Sequence, residues 1–255
     1  MPASHILPRV AATADAKRPP VPSWIGVVCA LLVVIPYYGI AILSGIAVQE
    51  NGIGELPTLL QTLQQAFLIT GVFCGLTWVL LRYVCQEDVA SLSRPGGSLL
   101  VDFLHAVNIS ALLLVAQIAI GMSMGMEKHA TPEFNLLLGK QLQSSPLALL
   151  VWAGPVAWLQ AGLTEEFTRA FVLTRLWKQW QSPAAQFTSL VLMSALFGMG
   201  HFYQGWPGVI GTFAIGMVFG FHYMRFRSLR AIVLGHGIYD TTVMLLLWLG
   251  SSLAM

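Results

Sequence analysis

Charge is the scarcest property of this sequence. Of 255 residues only 9% are Asp, Glu, Lys or Arg, while 56% are hydrophobic, a balance that a water-soluble domain of this size does not sustain. Basic runs are missing as well. The densest cluster is Arg225-Phe226-Arg227 with Arg230, which excludes a nucleic-acid footprint and reads instead as a cytoplasmic membrane anchor. Cysteine is nearly absent: Cys29, Cys74 and Cys85 are odd in number and never spaced as Cys-x-x-Cys, which excludes a disulfide framework and a zinc knuckle. No Gly-x-Ser-x-Gly, Ser-x-x-Lys or His-Glu-x-x-His pattern occurs, so neither a serine nucleophile elbow nor a zincin helix is encoded. No internal repeat, low-complexity tract or hydrophilic domain interrupts the chain.

What remains is apolar sequence in long stretches. A spanning helix needs about 20 residues at 1.5 Å rise, and suitable stretches lie at 24–48, 58–84, 99–124, 146–177, 187–202, 209–223 and 231–253. The fold class is therefore all-α, a polytopic membrane bundle of about seven to eight transmembrane helices. The eighth arises if Pro155 or Gly162 kinks or divides the fourth stretch. Seven crossings put Arg9, Lys17, Arg18, Arg82, Arg94, Arg175, Lys178, Arg225, Arg227 and Arg230 on one side and leave Lys128 and Lys140 on the other. By the positive-inside rule this predicts a cytoplasmic N-terminus. Residues 1–23 lack an apolar core followed by a small-residue cleavage site and read as a flexible cytoplasmic tail, with residues 24–255 forming the helical membrane domain. The longest polar connection, 125–145, faces outward as a lid or a loop.

Against that background, a few ionisable residues stand inside apolar helices, where a charge costs roughly 2.5 kcal/mol or more and persists mainly where it serves a site. They form three clusters: Glu165-Glu166 with Arg169, Phe197-x-x-x-His201, and His236-x-x-x-Asp240. Helical spacing puts Arg169 one turn from both acids, so it can neutralise one carboxylate and leave the other available. His236 and Asp240 are one turn apart and flanked by Gly235 and Gly237, which let a neighbouring helix approach. Two histidines, a Glu pair and an Asp make a hydrolytic constellation in which a carboxylate draws a proton from water and imidazoles orient it or stabilise an oxyanion. Glu165, His201, His236 and Asp240 are also conceivable ligands for a divalent metal such as zinc, although none is assigned. Straight helices would hold these residues at unequal depths: Glu165 about 20 Å from Lys178, His236 about 9 Å from Arg230. Convergence is thus a prediction about the fold.

These ordered motifs, with the Tyr203-Gln204-Gly205 continuation, resemble those of the CAAX-protease and bacteriocin-processing family, also called Abi, over roughly residues 146–250. The resemblance implies an intramembrane endopeptidase acting on a membrane-associated or lipid-anchored polypeptide, with no required cofactor. Carried onto this chain, Glu165 is the base and His201 its partner. His236 with Asp240 is the oxyanion or orienting pair, while Glu166, Arg169 and Phe197 complete the site. Two departures from the family pattern stand out. Two residues rather than three separate Glu166 from Arg169, so alignment on the Arg would place Thr164 opposite the first Glu, whereas alignment on the acids keeps Glu165 there. Asp240 stands where Asn is common, and an ionised Asp would repel an oxyanion, which favours an orienting role.

Competing classes are an ion- or proton-coupled transporter, a non-catalytic scaffold of the same fold, and a haem or di-iron redox protein. No paired broken segments in two related halves support the transporter. Asp102, His105 and Asn108 read as a solvated interfacial face, His222 as a cation at a cytoplasmic helix end, and Gly211, Gly216 and Gly220 as a packing stripe.

Overall fold

A computed structural model describes residues 21–123 and 133–253. The N-terminal tail and the Lys128 side of the polar connection lie outside the described residues. Eight helices carry the described chain: α1 (Ser23–Asn51), α2 (Leu59–Val84), α3 (Leu99–Ser123), α4 (Glu133–Ser144), α5 (Pro146–Gln179), α6 (Pro183–Gly200), α7 (Gly205–Phe226) and α8 (Leu229–Leu253). All but α4 are long and apolar enough to cross a membrane, and no strand occurs among the described residues. The chain is an integral membrane protein of the all-α class.

Local chemistry sets the helix starts. Thr58 and Gln61 form a reciprocal capping box at the head of α2. Ser145 and Ser182 cap α5 and α6, each followed by a proline whose missing N–H would have been an orphan anyway. Helix α4 shows that residues 133–144 of the polar connection are ordered as an amphipathic helix, with Leu138 and Leu142 buried and Lys140 exposed.

The fourth stretch is not divided. α5 runs unbroken for 34 residues, and its middle, Trp152–Glu165, is wound as a π-helix containing both Pro155 and Gly162. The wider turn accommodates the ring that would otherwise clash with the carbonyl four residues back. Thirty-four residues extend about 50 Å at helical rise, against a hydrocarbon core of about 30 Å, so α5 overruns the membrane.

Its overhanging end meets the polar loop after α2. Arg175 forms a bidentate pair with Glu87 at 2.7 and 2.8 Å, and Lys178 joins the same carboxylate. Nearby connections share this end: Arg82 with Asp88, Arg94 N–H on the Arg227 carbonyl, and Asp102 with Arg230 and Ser228. The ion pairs of the described residues therefore fall into two groups, this polar end and the centre of the bundle.

At that centre α5 is surrounded. α1 packs on its second half, α2 and α8 on its π-helical segment, and α6 and α7 pack on each other beside it. The last pairing uses small residues: a Cβ on Gly198 would lie 2.7 Å from the Val209 carbonyl, and one on Gly216 3.0 Å from Phe197. Gly211 meets nothing within 4 Å, so the packing stripe involves Gly216 and Gly220 but not Gly211.

Candidate active site

The three clusters converge. Glu165 closes the π-helical segment and Glu166 opens the following α-helical one, so the change of winding separates two adjacent carboxylates. Glu166 is wholly buried, and its Oε1 lies 3.1 Å from Arg169 Nη1. The same oxygen accepts a 2.9 Å hydrogen bond from His236 Nδ1. Glu165 reaches the other side of that ring, its Oε2 3.7 Å from Nε2, and Asp240 Oδ1 faces the same nitrogen at 3.8 Å. One imidazole is thus held among three carboxylates.

Arg169 is 1% exposed. Its guanidinium sits 4.5 Å above the Phe197 ring, a cation–π contact that gains strength away from water. Phe197 is the hub on which the second histidine rests, its ring 4.8 Å from that of His201 and 6.1 Å from that of His236. His201 caps α6 and donates from Nδ1 to the Phe197 carbonyl at 2.9 Å. That bond fixes the neutral tautomer with a lone pair on Nε2. No direct hydrogen bond joins His201 to Glu165 among the described residues; the two are brought to the same centre through Phe197 and His236.

The depth mismatch of straight helices is resolved by the length of α5. Its last turns, including Lys178, meet Glu87 at the polar end of the bundle, while Glu165 sits beside His236. The alternative alignment through Thr164 is disfavoured by geometry. Thr164 Oγ1 bonds the Leu159 carbonyl at 2.7 Å and Thr70 Oγ1 at 3.0 Å, toward α2, whereas both Glu165 and Glu166 reach His236.

Close backbone approach holds the cluster together. A Cβ on Gly162 would lie 3.0 Å from the Val233 carbonyl and 3.3 Å from Gly237 N, and one on Gly237 would lie 2.7 Å from the Trp158 ring. Trp158 is tied by its indole N–H to Thr241, which in turn donates to the Ala153 carbonyl.

Two residues outside the ionisable clusters also adjoin the centre, Tyr203 having entered the sequence reading only as part of the continuation after His201. Tyr38 of α1 is 2% exposed, and its hydroxyl turns toward Arg169 and both Glu carboxylates without a hydrogen bond of ordinary geometry. Tyr203 packs on His201 with ring centres 5.8 Å apart. An aromatic residue in an apolar run carries no signal of this role in sequence.

The interfacial residues resolve differently from expectation. Asp102 is buried and clamps Arg230 Nε at 2.7 Å and Ser228 Oγ at 2.6 Å, so it is an ion clamp between α3 and α8 and not a solvated face. His105 Nδ1 lies 3.3 Å from His222 Nε2, and Asn108 is exposed. None of these belongs to the central cluster.

Among the described residues no three His, Cys, Asp or Glu side chains are arranged to hold a metal ion.

The class defined by this geometry is a polytopic helical membrane protein with a buried acid–imidazole centre. Residues 147–242 match the family model described as type II CAAX prenyl endopeptidase Rce1-like. That model belongs to the CAAX-protease and bacteriocin-processing family; the matched stretch contains every motif residue from Glu165 to Asp240, and the similarity supports an intramembrane endopeptidase. No curated protein and no solved structure matches the chain.

Proposed function

We propose that the protein hydrolyses a peptide bond in a membrane-associated or lipid-anchored polypeptide by means of a water activated by Glu165 and His201. The observation that carries this reading is the division of labour around His236. Glu166 commits Oε1 to Arg169 and His236 Nδ1, whereas Glu165 makes no hydrogen bond among the described residues and holds only the longer 3.7 Å contact of its Oε2 with His236 Nε2. A carboxylate without a partner can take a proton; one locked in an ion pair serves better as a support.

In this mechanism His201 Nε2 accepts one hydrogen of the water and aims it, while Glu165 removes the other as oxygen attacks the carbonyl carbon. His236, whose Nδ1–H is held by Glu166, carries a second proton on Nε2 that faces the developing oxyanion, and Asp240 orients that ring. Glu165 then returns its proton to the leaving nitrogen as the C–N bond breaks. No step requires a metal. The charge asymmetry supports a cytoplasmic N-terminus, and the compactness of the chain with its family resemblance supports a bacterial plasma membrane as the setting.

Cleavage of co-expressed lipid-anchored peptides by wild type, Glu165→Gln, Glu166→Gln and His201→Ala tests the proposal. Loss in Glu165→Gln and His201→Ala, at wild-type levels of folded protein, supports it. Unchanged processing in both would move weight to the transporter or the scaffold.

A further inference from the structure

A water attack places negative charge on the carbonyl oxygen, and the rate depends on N–H or O–H donors aimed at that point. Around His236 the bundle gathers Glu165, Glu166 and Asp240, which as carboxylates can only accept. A neutral donor is therefore in demand at this centre, and the position where an Asn amide would supply one holds Asp240.

Tyr203 meets the demand. It lies in the short turn Phe202–Gln204 that follows His201. That turn is pressed on α1 at Gly45, where a Cβ would come within 3.0 Å of Tyr203 N, and the chain reverses at Gly205 with φ +71°, a backbone state that favours glycine. The phenol ring lies 34° from the plane of His201, and Phe134 of α4 packs edge-on to it at 4.8 Å. Gln204 Nε2 donates to the phenol oxygen at 2.9 Å. This bond fills an acceptor site, leaves the O–H proton for another partner and polarises it toward stronger donation. Among the described residues that proton has no acceptor, and the ring is held beside His201 at the edge of the acid–imidazole centre.

We infer that Tyr203 is a catalytic residue of the proposed hydrolysis, its O–H donating to the peptide carbonyl oxygen as that oxygen becomes the oxyanion. The role rests on the hydrolase reading above. As the water oxygen bonds to the carbonyl carbon, the carbonyl π electrons move onto oxygen and strengthen the bond from Tyr203. When the C–N bond breaks the C=O re-forms, the amine carries away the proton held by Glu165, and Tyr203 ends with its own proton.

The test compares wild type, Glu165→Gln, Tyr203→Phe and Tyr203→Phe/Asp240→Asn on one lipid-anchored peptide, with folding followed by tryptophan fluorescence melting. Tyr203→Phe keeps the ring packing and is expected to lower kcat about 10²–10³-fold with little change in KM. Adding Asp240→Asn is expected to recover about tenfold by supplying an amide donor. Replacement of Tyr203 by 3-fluorotyrosine is expected to raise kcat a few-fold without moving the melting temperature, because a more acidic phenol is the stronger hydrogen-bond donor. This variant decides the matter if Tyr203→Phe does not accumulate. Wild-type kcat in Tyr203→Phe while Glu165→Gln is inactive overturns the role of Tyr203 alone, as does a loss that neither Asp240→Asn nor fluorination alters. Full activity in Glu165→Gln removes the hydrolase reading and this role with it.

Discussion

His236 Nδ1 donates to Glu166 Oε1 over 2.9 Å, while its Nε2 lies 3.7 Å from Glu165 Oε2. Two consecutive glutamates thus address opposite nitrogens of one ring, and their substitutions should fail in different ways. Glu165→Gln is expected to lower cleavage about 10²–10⁴-fold, the range for loss of a general base, while leaving the melting temperature close to wild type. Glu166→Gln leaves the Arg169 charge buried without a counter-ion, a change that typically costs about 3–5 kcal/mol, so its melting temperature should fall steeply. Parallel measurement of rate and melting separates them.

Phe197 supports Arg169 on its face and His201 at its side. Phe197→Ala should destabilise the bundle by about 3–5 kcal/mol through the cavity alone. Phe197→Leu, which refills much of the volume without a π face, should recover stability more than activity. Equal recovery of both would argue against an orienting role for the ring.

Gly198 and Gly211 lie at the same end of the α6–α7 pair but meet different surroundings. A Cβ on Gly198 lands 2.7 Å from the Val209 carbonyl, so Gly198→Ala must push α6 from α7 and is expected to cost about 1–3 kcal/mol. Gly211→Ala meets open space and should be neutral or stabilising by up to about 1 kcal/mol. Thermal melting in one detergent gives the comparison directly.

Burial alone would raise the Glu87 carboxyl, but hydrogen bonds and charge from Arg175 and Lys178 outweigh it and pull its pKa from 4.5 to about 2. A folded-state pKa below the unfolded one means that the clamp contributes its full stability above about pH 4.5 and loses it as pH falls toward 2. Wild type should therefore melt higher than Glu87→Gln at pH 6, with the gap closing progressively below pH 4.5. A gap independent of pH would remove the ion pair as its source.

Chelation should be without effect. The donors at the centre are not arranged as a metal-ligand set, and cleavage is expected to be unchanged after 1,10-phenanthroline and dialysis. Inhibition reversed by added zinc would contradict this.

Much of the site could be read from sequence because acids and imidazoles are rare in apolar helices: Glu165, Glu166, Arg169, His201, His236 and Asp240 stood out by cost alone. Tyr38 and Tyr203 did not, since an aromatic ring in such a stretch is equally at home facing lipid. Helix α4 carried a usable signal in the spacing of Phe134, Leu137, Leu138 and Leu142, but the polar residues before it made the whole connection look like a loop. The meeting of Glu165 with His236 was not derivable from straight helices. It depends on the overhang of α5 and on its wide winding, which composition does not encode.

That winding makes residue count a specification. Each residue between Ser145 and Glu165 advances the acids around the helix axis, and a single insertion or deletion there would turn the pair by about 100° on resuming α-helical phase, carrying Glu165 off His236. Only a compensating change in how many residues adopt the wide turn could restore the phase. The length of that stretch is thus as constrained as the contacts of Trp158 and Gly162 within it, and a shift in the wide turn's extent would act as a rotary adjustment of the acids without any change of sequence at the site.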